Sequence, residues 1–185
     1  MAHGKFRNAW SQLISNENYN MKKNLCAIVC TFFLFLSACA QDYKLEGSEV
    51  KISKPISFET GSDVLTPESD AALKIVKQYL DEKSYISLMR VEAHSDNSGD
   101  ASQNQALTEK RAYAVCKALV AMGVDCKRLI AVGFGSTKPI EDNSTPDGKA
   151  VNRRISFINA ALRGHLLGGM PADGGGVVAG VICSQ

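Results

Sequence analysis

The chain has 185 residues, with 21 Lys+Arg against 19 Asp+Glu and six cysteines. A formal charge of +2, with no basic run longer than two residues, excludes a nucleic-acid binder that works by bulk electrostatics. Aromatics at 7% exclude a stacking platform for bases, and six cysteines without a CxxC spacing give neither a disulfide scaffold nor a metal motif.

Residues 1–20 fit no part of a targeting signal, so Met21 is read as the biological start and the preceding stretch as an upstream extension. Met21-Lys22-Lys23-Asn24 is basic, Leu25 to Leu36 is largely apolar, and Ser37-Ala38 supplies small residues before Cys39. That order is a secretory signal over 21–38. A membrane-spanning anchor is the alternative, but Leu25 to Ala40 covers roughly 24 Å of helix against a hydrocarbon core of ~30 Å. Leu36-Ser37-Ala38-Cys39 resembles the bacterial lipobox, which implies acylation of Cys39. Two or three acyl chains would hold the protein on a membrane, where one binds only marginally. Ala40 rather than Asp after the Cys implies outward sorting, to the outer membrane.

From Cys39 the mature chain carries 17 Lys+Arg and 18 Asp+Glu, a charge near −1. Residues 39–49 read as a polar tether. Val50 to Phe58 alternates and is rich in β-branched residues, which predicts a strand, with Pro55 placing it at an edge or bulge. Thr66 as N-cap and Pro67 at N1 open a helix, with Leu73, Val76, Lys77 and Leu80 on its stripe to about Glu82. Tyr85 to His94 is a second strand. Gln105 to Met122 is the longest helix, with Leu107, Val115, Leu119 and Met122 facing inward and Gly123 as its stop. Arg128 to Phe134 and Arg153 to Ala160 are further strands, the latter after a polar, turn-rich loop. The alternation predicts an α/β two-layer sandwich over 50–160, in the order βαβαβ-β, with a mixed sheet and helices on one face. Residues 161–185 form a glycine-rich tail, read as irregular from Gly164 onward.

The stretch from Ile56 to Ile158 resembles the OmpA/MotB/Pal family of peptidoglycan-binding domains. The residues that carry the resemblance are Phe58-x-Thr60-Gly61-Ser62-x-x-Leu65-x-Pro67-Glu68, His94-Ser95-Asp96-Asn97-Ser98-Gly99 and Asn104-x-x-Leu107-Thr108-x-x-Arg111-Ala112-x-x-Val115. Gly133-Phe134-Gly135-x-x-x-Pro139-Ile140 and Asn143-x-Thr145-x-x-Gly148-x-Ala150-x-Asn152-Arg153-Arg154 follow in order. The resemblance implies a grip on diaminopimelate in the peptide stem, whose side chain ends in an ammonium and a carboxylate. Such a zwitterion needs one anion and one cation held a few ångströms apart. Asp96 is assigned to the ammonium and Arg111 to the carboxylate, as a planar fork that Lys could not copy. In an empty pocket the two can also pair with each other. Backbone N–H groups around Asn97 add donors. Asn104, Leu107 and Arg153 match ligand-side positions, and Thr60-Gly61 should border the pocket, with Gly61 allowing close backbone approach. Gly61 also stands where the family often has an acid or amide.

His94, two residues before Asp96, is read as a hydrogen-bonded strand-end histidine, because no second and third metal ligand stand at suitable spacing. Ser95 points away from His94, so no nucleophile–base pair forms. No enzyme, metal or cofactor is therefore expected. Cys116 and Cys126, ten apart in a disulfide-permissive compartment, are read as a candidate bridge, with free core thiols as the alternative and Cys183 as a competing partner for either. The function expected is noncovalent binding of peptidoglycan by a lipid-anchored periplasmic domain. The rival is a subunit of a Tol-Pal-like or stator-like envelope complex with further protein partners.

Overall fold

The computed structural model describes residues 42–183, so the upstream extension, the signal segment and Cys39 lie outside the described residues. Tyr43–Glu46 (β1) and Glu49–Ile52 (β2) pair as an antiparallel hairpin. Strand therefore occupies part of the segment read as a tether. Tyr43 packs against the core edge-on to Tyr79, with ring centroids 5.0 Å apart, and this contact draws the segment into the domain.

β2 ends at Ile52, well short of the strand expected to Phe58. Pro55 has no N–H to donate, and beyond it Phe58 makes only an isolated bridge to Leu65. Buried Ser69 fixes this irregular stretch, its Oγ donating to the Ser57 carbonyl at 2.8 Å and accepting from the Ser57 N–H at 2.9 Å. The first helix, Ser69–Glu82 (α1), starts two residues after the expected N1. Thr66 contributes its carbonyl, which accepts from the Ser69 N–H, and not a side-chain cap. Leu73, Val76 and Leu80 are buried as expected. Lys77 is not on the buried stripe but pairs at the surface with Asp81, one turn on.

Ile86–Ala93 (β3) leads through Ala101–Ala121 (α2) to Leu129–Gly133 (β4), which runs parallel to β3. The α2 helix begins four residues before the expected start because Asp100 caps it, its carboxylate accepting from the Gln103 N–H at 2.9 Å. Val115 and Leu119 are fully buried, whereas Leu107 is half-buried. Pro146–Asn152 (α3) lies inside the stretch read as a loop. Pro stands at its start and the Thr145 hydroxyl accepts from the Gly148 N–H at 3.0 Å. Seven residues are too few to show a helical hydrophobic period. Ile155–Leu162 (β5) then inserts antiparallel to β3.

His165–Leu166 (β6) pairs with β5 and Val177–Val178 (β7) with β4, completing a seven-stranded sheet in the order β1-β2-β5-β3-β4-β7 with β6 off that path. The fold is the expected α/β one, a mixed sheet with its helices packed against it. Met89, Val91 and Ala93 meet Val76, Leu80, Val115 and Leu119 of the helices in one buried cluster.

The opposite face is covered by the tail, which is not irregular throughout. Arg90, Glu92 and His94 alternate onto this face and are buried there. Arg90 Nε donates to Glu92 Oε1 at 2.6 Å, its NH1 reaches the Ala172 carbonyl at 3.0 Å, and Lys138 Nζ donates to the Gly174 carbonyl at 2.9 Å. A Cβ at Gly174 would stand 2.5 Å from the Arg90 guanidinium carbon, and one at Gly176 would stand 2.5 Å from Val132. The glycines thus let the tail lie directly on the sheet. Cys126 bonds to Cys183 and ties the tail's end to the turn after α2. The expected Cys116–Cys126 bridge is therefore corrected. Cys116 points into the core and is free, and burial pushes its thiol pKa up, so it stays protonated.

Candidate functional site

The carboxyl end of β3 runs straight into a loop that carries Asp96, and this loop is held from two sides. Asp96 is 6% exposed. Its Oδ1 accepts from the Ser98 N–H at 2.8 Å, and its Oδ2 accepts from Arg153 NH1 at 2.5 Å. From the first turn of α2, Asn104 Nδ2 donates to the Ser98 carbonyl at 2.7 Å and reaches the Asp96 carbonyl at 3.5 Å. From the α3 side, Lys149 Nζ donates to Ser98 Oγ at 3.1 Å, and Asn143 Oδ1 accepts from the Asn97 N–H at 3.4 Å.

Asn143 is in turn set by Asn152, a fully buried amide. Its Nδ2 donates to Asn143 Oδ1 and to the Glu141 carbonyl, while its Oδ1 accepts from the Ile140 and Glu141 N–H groups. All of its hydrogen-bonding capacity is used, which is what makes a buried amide tolerable and rigid. Asn152 ends α3, and Arg153, the next residue, projects from that fixed point.

Arg111 stands two turns along α2 from Asn104. Its Nε donates to the Ser62 carbonyl at 2.9 Å and its guanidinium lies 4.9 Å from the centre of the Phe58 ring. The turn that carries Thr60, Gly61 and Ser62 is therefore beside Arg111. The φ of Gly61 is +68°, a left-handed turn position, and a Cβ there would meet nothing within 4 Å.

Asp96 and Arg111 do not pair with each other; Arg153 takes Asp96 instead. Burial works against the Asp96 carboxylate, but the bonds from Arg153 and Ser98 outweigh it and hold its pKa below the ordinary value of 3.8. Burial lowers the Arg111 pKa, Asp63 partly counters this, and the nearby positive charge of Arg153 adds to the lowering. The two guanidiniums are thus close enough to feel each other. Leu107 sits on α2 between Asn104 and Arg111, half-buried, where it can offer an apolar wall.

Asp96, Arg153, Asn104 and Asn97 therefore form one connected set, and Arg111 with Phe58 and the 60–62 turn forms the adjoining one. The arrangement can hold an anion against Arg111, whose charge Asp63 offsets in part, and a cation against the ionised carboxylate of Asp96, which already accepts from Arg153. Sequence reasoning assigned no site role to Phe58, Ser62, Asn143 or Asn152. The aromatic before the Thr-Gly turn was a usable signal for Phe58. Ser62 acts through its backbone carbonyl on Arg111, Asn143 through its amide oxygen on the Asn97 N–H, and Asn152 by fixing Asn143.

Residues 57–153 match the OmpA family. The chain belongs to the OmpA family. Among curated relatives of this OmpA-family chain is an outer-membrane lipoprotein, YfiB, of Pseudomonas aeruginosa. It is 36% identical over 114 residues, which is 61% of this chain and 67% of that protein. The peptidoglycan-binding protein ArfA of Mycobacterium tuberculosis is 35% identical over 106 residues, 56% of this chain but only 32% of ArfA. The chain thus spans about a third of ArfA's length. Among solved structures, the peptidoglycan-associated lipoprotein of Burkholderia pseudomallei aligns with a TM-score of 0.51 at 28% identity. That alignment covers 57% of this chain and 88% of the lipoprotein. The matched span holds Asp96, Asn104, Arg111 and Arg153 together, so the site lies wholly within the family domain.

Proposed function

We propose that this protein binds peptidoglycan noncovalently through the diaminopimelate of the stem peptide, and that lipid on Cys39 ties it to the outer membrane. Asp96 takes the ligand's free ammonium and Arg111 its carboxylate, with Arg153, Asn104, Asn97, Leu107, Thr60 and Gly61 around them. The observation that carries this reading is an ionised, nearly buried carboxylate held by one guanidinium, that of Arg153, whose charge also acts on Arg111, in a family domain whose relatives include a peptidoglycan-binding protein and lipoproteins.

No bond is made or broken. Millimolar to micromolar affinity per site suffices, since membrane attachment and a repeated polymer raise the effective concentration of the second and later contacts. Charge pairs in a partly desolvated pocket also set orientation, which a polymer end group requires.

Titration of the protein with a synthetic stem tripeptide ending in meso-diaminopimelate tests the reading. Asp96→Ala and Arg111→Ala should each weaken binding by about thirtyfold or more, because each strands an opposite charge of the ligand. Unchanged affinity in both variants sinks the assignment.

A further inference from the structure

The sheet is open beside Arg153. Among the described residues β2 pairs with β5 only through Glu49 and Ile158. The Arg154 carbonyl accepts from the His94 N–H at 2.9 Å, on the β3 side, and the Asn159 N–H donates to the Ser48 carbonyl at 2.8 Å, on the β2 side. Backbone groups alternate along a strand, so the N–H and C=O of Ile155 turn away from β3, toward a β2 that no longer pairs there. A groove of about 340 Å³ lies between the two strands. Arg153 lines this groove and also holds Asp96 through NH1, so the groove and the ligand site share a side chain.

Four cations, Lys51, Lys54, Arg153 and Arg154, line the groove against one acid, Glu49. Glu49 pairs with Lys51 at 2.8 Å, and Arg153 pairs with Asp96. Arg154 donates to the Asn152 and Lys138 carbonyls. Lys54 is exposed and makes no ion pair within 4 Å among the described residues. Exposed Ile140 and Val151 supply an apolar wall.

We propose that this groove is a second subsite for the same ligand, one that takes the glutamyl residue of the stem peptide and binds its free α-carboxylate through Lys54. The proposal rests on the function proposed above and deepens it. Glutamate precedes diaminopimelate in the stem and is joined to it through the γ-carboxyl, which leaves the α-carboxylate free. An extended segment that leaves Asp96 past Arg153 enters the gap where Ile155 offers one N–H and one C=O. The carboxylate meets an excess of cations there, and Lys54 is the one among them with neither an anion nor a carbonyl already in hand. A carboxamide in the same place can still hydrogen-bond but gains nothing from that charge.

Calorimetric titration of the full chain tests this with two stem tripeptides ending in meso-diaminopimelate. They differ only in the second residue, D-glutamate or D-isoglutamine, its α-carboxamide. Wild-type protein should bind the D-glutamate peptide about fourfold more tightly. In Lys54→Gln that preference should fall below about twofold. Glu49→Gln removes the groove's own carboxylate and frees Lys51, and should raise the preference to about eightfold, which a damaged fold does not do. Equal affinity of the wild type for the two peptides overturns the proposal and leaves the diaminopimelate reading standing. A ratio that Lys54→Gln leaves unchanged, or that Glu49→Gln lowers, does the same. Wild-type protein that binds neither peptide overturns that reading, and the proposal with it.

Discussion

Two regions of this domain are built around an arginine and a carboxylate, and they differ in almost everything else. Under the tail, Arg90 and Glu92 are both nearly buried, paired at 2.6 Å, and NH1 of Arg90 donates to the Ala172 carbonyl of the tail. At the Asp96 end, Asp96 is buried but its partner Arg153 is half-exposed, and the second guanidinium, Arg111, feels the charge of Asp63 without forming an ion pair with it within 4 Å. The first arrangement is closed and the second is open. The pairing chemistry is the same in both; what differs is the exposure of the arginine.

The largest expected effect lies under the tail. Glu92→Ala leaves Arg90 buried without its anion and should destabilise the domain by about 4 kcal/mol, read as a shift in the urea midpoint. Ligand affinity of the folded fraction should not change. A matching loss of affinity would join the two regions and break the contrast. Next comes the bolt that holds the tail. Cys183→Ser opens a loop with a sequence separation of 57 and should cost about 3 kcal/mol, with faster hydrogen exchange over Ala172 to Val178. Exchange at Ser98 and Asn104 should stay as it was. Wild-type protein under reductant should reproduce that pattern, whereas Cys116→Ser should not.

How much of this could be read from the sequence differs between the same two regions. At the Asp96 end the placement of the residues is legible in their order and spacing: Asp96 after β3, Asn104 and Arg111 on one helix, Arg153 before β5. What was not legible is who pairs with whom, because Asp96 and Arg153 are 57 residues apart and the choice between two arginines is settled by where α3 ends. That helix was itself hidden, since its start depends on Thr145 and Pro146 and it is too short for a hydrophobic period. The tail was misread for the opposite reason. Its glycines look like flexible linker, yet Gly174 and Gly176 are small because Arg90 and Val132 lie against them. Glycine spacing encodes close approach only when the surface it approaches is known. The disulfide followed the same logic: Cys116 and Cys126 are close in sequence, but Cys116 faces the core while the tail returns past Cys126.

The smallest expected effect separates the two regions by acid. His94 is 3% exposed, stacks on Phe134 at 5.1 Å, and shares Glu92 with Arg90 through Nε2 at 3.2 Å. Burial lowers its pKa below 6.5; Glu92 works against the shift, and the charges of Arg154 and Lys138 favour it. A base whose folded pKa is lowered takes up its proton later in the folded protein than in the unfolded chain. His94 therefore contributes stability that is complete above pH 6.5 and is lost as pH falls through its folded value. His94→Gln should flatten that part of the stability profile, followed by thermal melts at stepped pH. Asp96 behaves in the opposite range. Its folded pKa lies below 3.8, so its charge and the ligand's grip should hold across mild acid and weaken only below that value. Mild acid should thus loosen the tail-covered face while leaving ligand affinity level. Affinity that falls together with stability between pH 6.5 and 5 would mean that the two arginine–carboxylate systems act as one.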